Sequence, residues 1–175
     1  MKLENKEVIN RPLADVYVLV RDDLAKLVPY MPNVDKIEVK KHTPRDDNTI
    51  EVINHWYGRA DMPSMLKKFL KPEIFSWKDT ALWRNDKHCV EYQLESFLAN
   101  DLFDARGVNS FTAVGDDKTE LKISCEVTLY PEKVPGVPRI LAKSVVPMIE
   151  ALLEKILAPN LTALGKGLNE YFKSH

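Results

Sequence analysis

The side chains best suited to hold a metal or to carry nucleophilic chemistry are scattered along this chain. His42, His55, His88 and His175 include no pair four apart on a helix, the spacing that turns two imidazoles towards one zinc ion. Cys89 and Cys125 lack the close pairing of a zinc or redox motif and fall in strand-like segments, which reads them as reduced packing residues. Gly165-Lys166-Gly167 has neither the upstream glycine nor the following Ser/Thr of a phosphate loop. It sits in a helical pattern, where it marks a close packing contact or a loosened helix end. No serine stands in a nucleophile elbow. Neither a metal nor a cofactor is expected.

Polar residues inside apolar stripes say more. Asn54, His88, Tyr92 and Asn109 each interrupt an alternating apolar pattern on a face predicted to point inward. A buried polar group without a partner costs about 1 to 3 kcal/mol, so each must meet a neighbour, water or a ligand. Four of them on one concave face fit a pocket that is mostly apolar, with a few polar groups to orient what it holds.

The totals bound what can position these residues. A chain of 175 residues reads as one domain, 1–175, large enough to enclose a core or a cavity without disulfides. Its formal net charge of -1 gives no field to attract a polyanion, so no nucleic-acid partner is expected. Met1 to Glu7 has no apolar stretch of the secretory kind, which predicts a cytoplasmic protein. No apolar run approaches the roughly 20 residues that a membrane span needs.

Lys2 to Asn10 reads as a strand, and Asn10-Arg11-Pro12 opens a helix whose apolar spacing runs Leu13, Val16, Tyr17, Val20, Leu24, Val28. Asp22-Asp23 is placed to split it into two short helices. From Val34 the period becomes alternating, with Ile37 and Val39 on one face, then the turn residues 43–48, then Ile50, Val52, Asn54 and Trp56 on one face. Met62, Met65, Leu66, Phe69 and Leu70 give a short helical stretch with Lys67, Lys68 and Lys71 on its other side. A hairpin follows over 73–97. Its second strand presents His88, Val90, Tyr92 and Leu94 inward, while Phe75, Trp77 and Trp83 oppose Ile74 and Leu82 in parity, which predicts a bulge in the first. The last hairpin faces Phe103, Ala105, Gly107, Asn109 and Phe111 towards Leu121, Ile123, Cys125, Val127 and Leu129. Beyond Pro131, Pro135 and Pro138, apolar residues from Ile140 through Met148, Leu152, Ile156 and Leu168 to Tyr171 recur every three or four positions. From Pro147 to Lys173 this helix spans roughly 40 Å, with a kink expected near Leu157 to Pro159.

An apolar sheet face needs a cover, and the terminal helix is long enough to be it. The strand closed by Asn10-Arg11-Pro12, the split helix Leu13 to Val28, the hairpins and the final Pro138 to Phe172 helix together resemble the START-like, or Bet v 1-like (SRPBCC), superfamily across nearly the whole chain. That resemblance implies an α+β helix-grip fold: a curved seven-stranded antiparallel sheet wrapped around a long C-terminal helix, with two short helices after the first strand. It also implies a cavity for an apolar ligand. Members include lipid-transfer proteins, hydrophobic-ligand binders, polyketide aromatase/cyclases and co-chaperones.

The leading expectation is a protein that binds or carries a lipid-like or polycyclic hydrophobic molecule. Its lining candidates are Ile37, Val52, Asn54, Trp56, Met65, Phe69, His88, Tyr92, Asn109, Cys125, Met148 and Leu152. A second reading is a cyclase, dehydratase or hydrolase of an apolar substrate, with Tyr92 or His88 as acid or base and Asn54 or Asn109 holding an oxyanion. A third is a co-chaperone-like interaction module. Pro159 marks 157–160 as a hinge or, alternatively, as a static kink. Met62 to Lys71 reads as a mobile lid with transient membrane contact, or else as a helix docked permanently as core.

Overall fold

The structure is a computed structural model that describes residues 1–58, 76–97, 103–130, 133 and 139–175. Along part of the terminal helix, including Met148 and Leu152, the description extends to the backbone only. In chain order the elements are β1 (Lys2–Ile9), α1 (Leu13–Asp22), a 3-10 helix (Leu24–Tyr30), β2 (Val34–Pro44), β3 (Thr49–Gly58), β4 (Ser76–Arg84), β5 (Cys89–Ser96), β6 (Phe103–Ala113), β7 (Thr119–Leu129) and α2 (Arg139–Ser174). The strands form one seven-stranded sheet in the order β1-β7-β6-β5-β4-β3-β2, antiparallel at every pairing. This is the expected α+β architecture, with both short helices following β1.

Alternation decides the inner face. In β7, Leu121, Ile123, Cys125 and Val127 are buried while Lys122, Glu126 and Thr128 are not. Pro12 immediately precedes α1, and Val16, Tyr17, Leu19 and Val20 are buried along it. The chain then turns at Asp23 into the 3-10 helix, the split predicted at Asp22-Asp23. Thr119, fully buried, donates its hydroxyl to Arg11 O at 2.9 Å and so ties β7 to the corner between β1 and α1.

The terminal helix is longer than expected. It begins at Arg139, runs 36 residues and stays helical through both Pro147 and Pro159, about 54 Å at 1.5 Å per residue. Each proline forfeits one backbone hydrogen bond without ending the helix. Its C-terminal half is clasped to β1. Asn5 Nδ2 donates to Leu161 O at 3.2 Å, Asn169 Nδ2 donates to Val8 O at 3.0 Å, and Asn10 N donates to Asn169 Oδ1 at 3.1 Å. Gly165 makes that approach possible, since a Cβ there would stand 2.6 Å from Glu7 Cγ. The Gly-Lys-Gly segment is thus a packing contact in the helix.

Two strand expectations change. The register shifts fall in β2, at Val34/Lys36 and Val39/Lys41, whereas β4 pairs with β3 and β5 without a break. Ile37 is buried but Val39, expected beside it and in unbroken register with it opposite Trp56 and Asn54, is 46% exposed. An edge strand has a neighbour on one side only, so an extra residue there disturbs little else. Met62 to Lys71 lies outside the described residues.

Candidate functional site

Between the sheet and α2 lies a cavity of about 120 Å³. Its wall takes Met31 from the end of the 3-10 helix, Val34 from β2, Trp56 from β3, and Trp77 and Asp79 from β4. Tyr92 and Leu94 come from β5, Asn109 from β6, Ile123 and Cys125 from β7, and Leu161 and Leu164 from α2. The sheet brings these together by register. Trp56 pairs with Trp77, Asn54 with Asp79 and Asp79 with Leu94. Tyr92 pairs with Gly107 and Gly107 with Cys125. A second hollow, of about 570 Å³, lies between Tyr30, Pro32 and Asn33 and the helix around Pro159, with no strand core residue in its wall. The first is the candidate, because buried polar groups of several strands converge on it.

Asp79 is the most informative of these groups. Trp56 Nε1 donates to its Oδ2 at 3.3 Å, whereas its Oδ1 is closed off from solvent and has no hydrogen-bond partner. The residue keeps some surface, and that surface faces the cavity. Removal from water pushes its pKa up from 3.8 to about 7, against the lowering effect of Trp56 and of the Asn54 side chain opposite it. The indoles of Trp56 and Trp77 lie nearly parallel, 13° between planes and 5.6 Å between centroids.

Tyr92 crosses β6 to donate its hydroxyl to Ser124 O on β7 at 3.1 Å. The crossing depends on Gly107, where a Cβ would stand 2.2 Å from the tyrosine ring and 2.3 Å from Ser124 O. Burial, then the neighbouring Cys125, raises the Tyr92 pKa well above the usual tyrosine range. Burial also pushes the Cys125 thiol up. Both groups therefore stay protonated at neutral pH. Asn109 Oδ1 and Asn54 Oδ1 are buried and unpartnered. Among the described residues no cluster of His, Cys, Asp or Glu is arranged to hold a metal ion.

No protein-family model and no curated protein sequence matches the chain. Solved structures do. The Zhui aromatase/cyclase from Streptomyces sp. R1128 superposes with a TM-score of 0.65 at 12% identity, over 98% of this chain and 95% of that one. Norcoclaurine synthase from Thalictrum flavum gives 0.61 at 16% identity, over 100% and 87%. A START superfamily protein from Mycobacterium smegmatis gives 0.54 at 14% identity, over 97% and 98%. The chain has the START-like, helix-grip fold.

Within this helix-grip fold the residues singled out from sequence fall into four groups. Trp56, Tyr92, Asn109 and Cys125 line the cavity. Ile37 and Val52 are core residues, and Asn54 is buried opposite Asp79; none of the three is in the cavity wall. His88 stands elsewhere. It occupies the turn before β5 with φ of 47°, outside the alternation assumed for it, and its ring meets Tyr17 edge-on at 5.2 Å. Met65 and Phe69, and the side chains of Met148 and Leu152, lie outside the described residues. Sequence reasoning missed Asp79, which shares its parity on β4 with Trp77 and Trp83; that shared parity was the available signal. It also missed Met31, Val34, Leu94, Ile123, Leu161 and Leu164, all apolar and indistinguishable in sequence from other core residues.

Proposed function

We propose that the protein binds and carries a lipid-like or polycyclic apolar small molecule between the sheet and α2. The observation that supports this most is the make-up of the cavity wall. Apolar and aromatic side chains dominate it, and Asp79 and Asn109 each bring a buried oxygen that no donor among the described residues satisfies. A wall built only to fill space would not leave carboxylate and amide oxygens without donors. Trp56, Tyr92, Asn109 and Cys125 touch the ligand in this reading, and Ile37, Val52 and Asn54 hold the same sheet face in shape. Organic extraction of the purified protein followed by mass spectrometry tests it. The expected result is a stoichiometric apolar molecule, or binding to a panel of fluorescent fatty acids and steroids; no bound molecule together with no binding to the panel would sink the proposal.

One observation favours a second reading, an enzyme acting on an apolar substrate. An Asp79 carboxyl titrating near pH 7 can both give and take a proton under neutral conditions, the property wanted in a general acid or base. Tyr92, held neutral, serves in that reading as a hydrogen-bond donor, and His88 has no part because it faces Tyr17. The comparison structures named as an aromatase/cyclase and as a synthase are consistent with it. With a substrate in hand, Asp79→Asn should slow turnover by on the order of 100-fold or more. Unchanged turnover would leave binding alone.

A further inference from the structure

Asp79 also bears on which apolar molecule fits. Taking a carboxylate out of water costs several kcal/mol unless a cation or several donors compensate it. Here the described residues supply one long indole hydrogen bond and a neighbouring amide, and no Lys, Arg or His among them reaches the carboxyl group. The Trp56 indole meets the carboxylate through its Nε1–H edge and stacks on Trp77, so the surroundings of the carboxyl are aromatic and carry no full positive charge of their own. The other hydroxyl on the wall, that of Tyr92, already donates to Ser124 O and offers only its lone pairs. An aspartate carboxyl turns easily about its terminal torsion, so either oxygen can meet a donor entering from the cavity.

We infer that the cavity is selective for an apolar molecule bearing a protonated amine, whose ammonium donates to Asp79 within the aromatic wall of the cavity. The inference rests on the apolar-binding reading and adds the head group to it. A ligand of this kind supplies both the missing donor and the missing positive charge. In a low-dielectric site the resulting pair is worth more than it would be in water. A neutral molecule of the same shape gains the apolar contacts and at most an uncharged hydrogen bond, without the charge pairing.

The test uses the full-length chain and two probes of one shape, aminoindane and indanol, titrated by indole fluorescence and by calorimetry. The amine is expected to bind about tenfold or more tightly than the alcohol near neutral pH. Its advantage should grow from about pH 5.5 to about pH 8, as Asp79 loses its proton while the amine keeps its own. Among the described residues the titratable groups that line the cavity with Asp79 are Tyr92 on β5 and Cys125 on β7, both held protonated over that range, and the described α2 side chains there are Leu161 and Leu164. Asp79→Asn should abolish the preference for the amine over the alcohol. Equal affinity for the two probes, no growth of the preference with pH, or a preference that survives Asp79→Asn each overturns the inference and leaves the apolar-binding reading standing. Binding of neither probe also overturns it, and the extraction experiment then decides the wider reading separately. The pH series needs no variant, so it stands even where Asp79→Asn does not fold.

Discussion

The two ends of the sheet's inner face are built from similar side chains and finished differently. At one end Tyr17, delivered by α1, meets Trp83 edge-on at 5.2 Å and Phe111 at 5.5 Å, while Trp83 and Phe111 stack at 5.9 Å. The Tyr17 hydroxyl donates to Asn85 Oδ1 at 3.1 Å, where Arg21 Nη1 also donates at 3.0 Å. At the other end Trp56 and Trp77 stack on each other beside Asp79, and their remaining surface borders the cavity. The same gradient runs along α2: Leu168 is fully buried, Leu164 is nearly so, and Leu161 is only half-buried at the cavity wall. Aromatic surface is used up where a helix inserts a side chain into it. Where no described side chain is inserted, aromatic surface borders the cavity instead.

Equal truncations at the two ends should break this comparison most visibly if it is wrong. Trp83→Ala is expected to cost about 4 kcal/mol and Trp77→Ala less than about 2, read from the midpoints of urea unfolding. Similar losses at both sites would mean that the cavity end is packed as tightly as the other. Gly107→Ala comes next, at about 3 kcal/mol, because the added methyl collides with the Tyr92 ring and with backbone that cannot retreat. Adding Tyr92→Ala to it should recover part of that loss; no recovery would place the clash elsewhere.

Asp79→Asn has the opposite sign. The folded protein holds the Asp79 proton up to about pH 7 whereas the unfolded chain releases it near 3.8, so stability falls as pH rises between those values and stays lower above them. The neutral variant should be more stable by on the order of 2 kcal/mol above that window and should lack the slope within it. Parallel pH profiles of the two proteins would show that Asp79 ionises normally. The smallest effect belongs to the packed end, where Tyr17→Phe removes only the hydrogen bond to Asn85 and should cost about 1 kcal/mol in the same measurement.

What the sequence made legible follows from how many neighbours each strand has. Strands β6 and β7 alternate cleanly and pair on both sides, so their inner residues, Asn109 and Cys125 among them, were readable one by one. β4 carries large apolar residues on both parities, and a single aspartate there reads as solvent-facing until the register with β3 and β5 turns it inward. The pattern in β2 misplaced Val39 because alternation gives it the parity of Ile37 and says nothing of whether that stretch of an edge strand is covered. His88 was carried inward by extending an alternation one residue into a turn, where a left-handed backbone angle ends it. The resemblance to the helix-grip superfamily supplied the topology, which local patterns alone do not encode.

The clasp between β1 and α2 also sets an order of events during synthesis. β1 is made first, yet every strand hydrogen bond it forms is to β7, from Lys2↔Glu126 to Ile9↔Thr119. Its remaining anchors are Leu161, Gly165 and Asn169. At the usual pace of translation, β1 waits on the order of ten seconds for the partner that completes the sheet. A loop of that length closes slowly, so the last pairing belongs to the oldest strand. Lys2, Glu4 and Lys6, exposed along its outer face, are the charges that keep a waiting strand from recruiting a stranger.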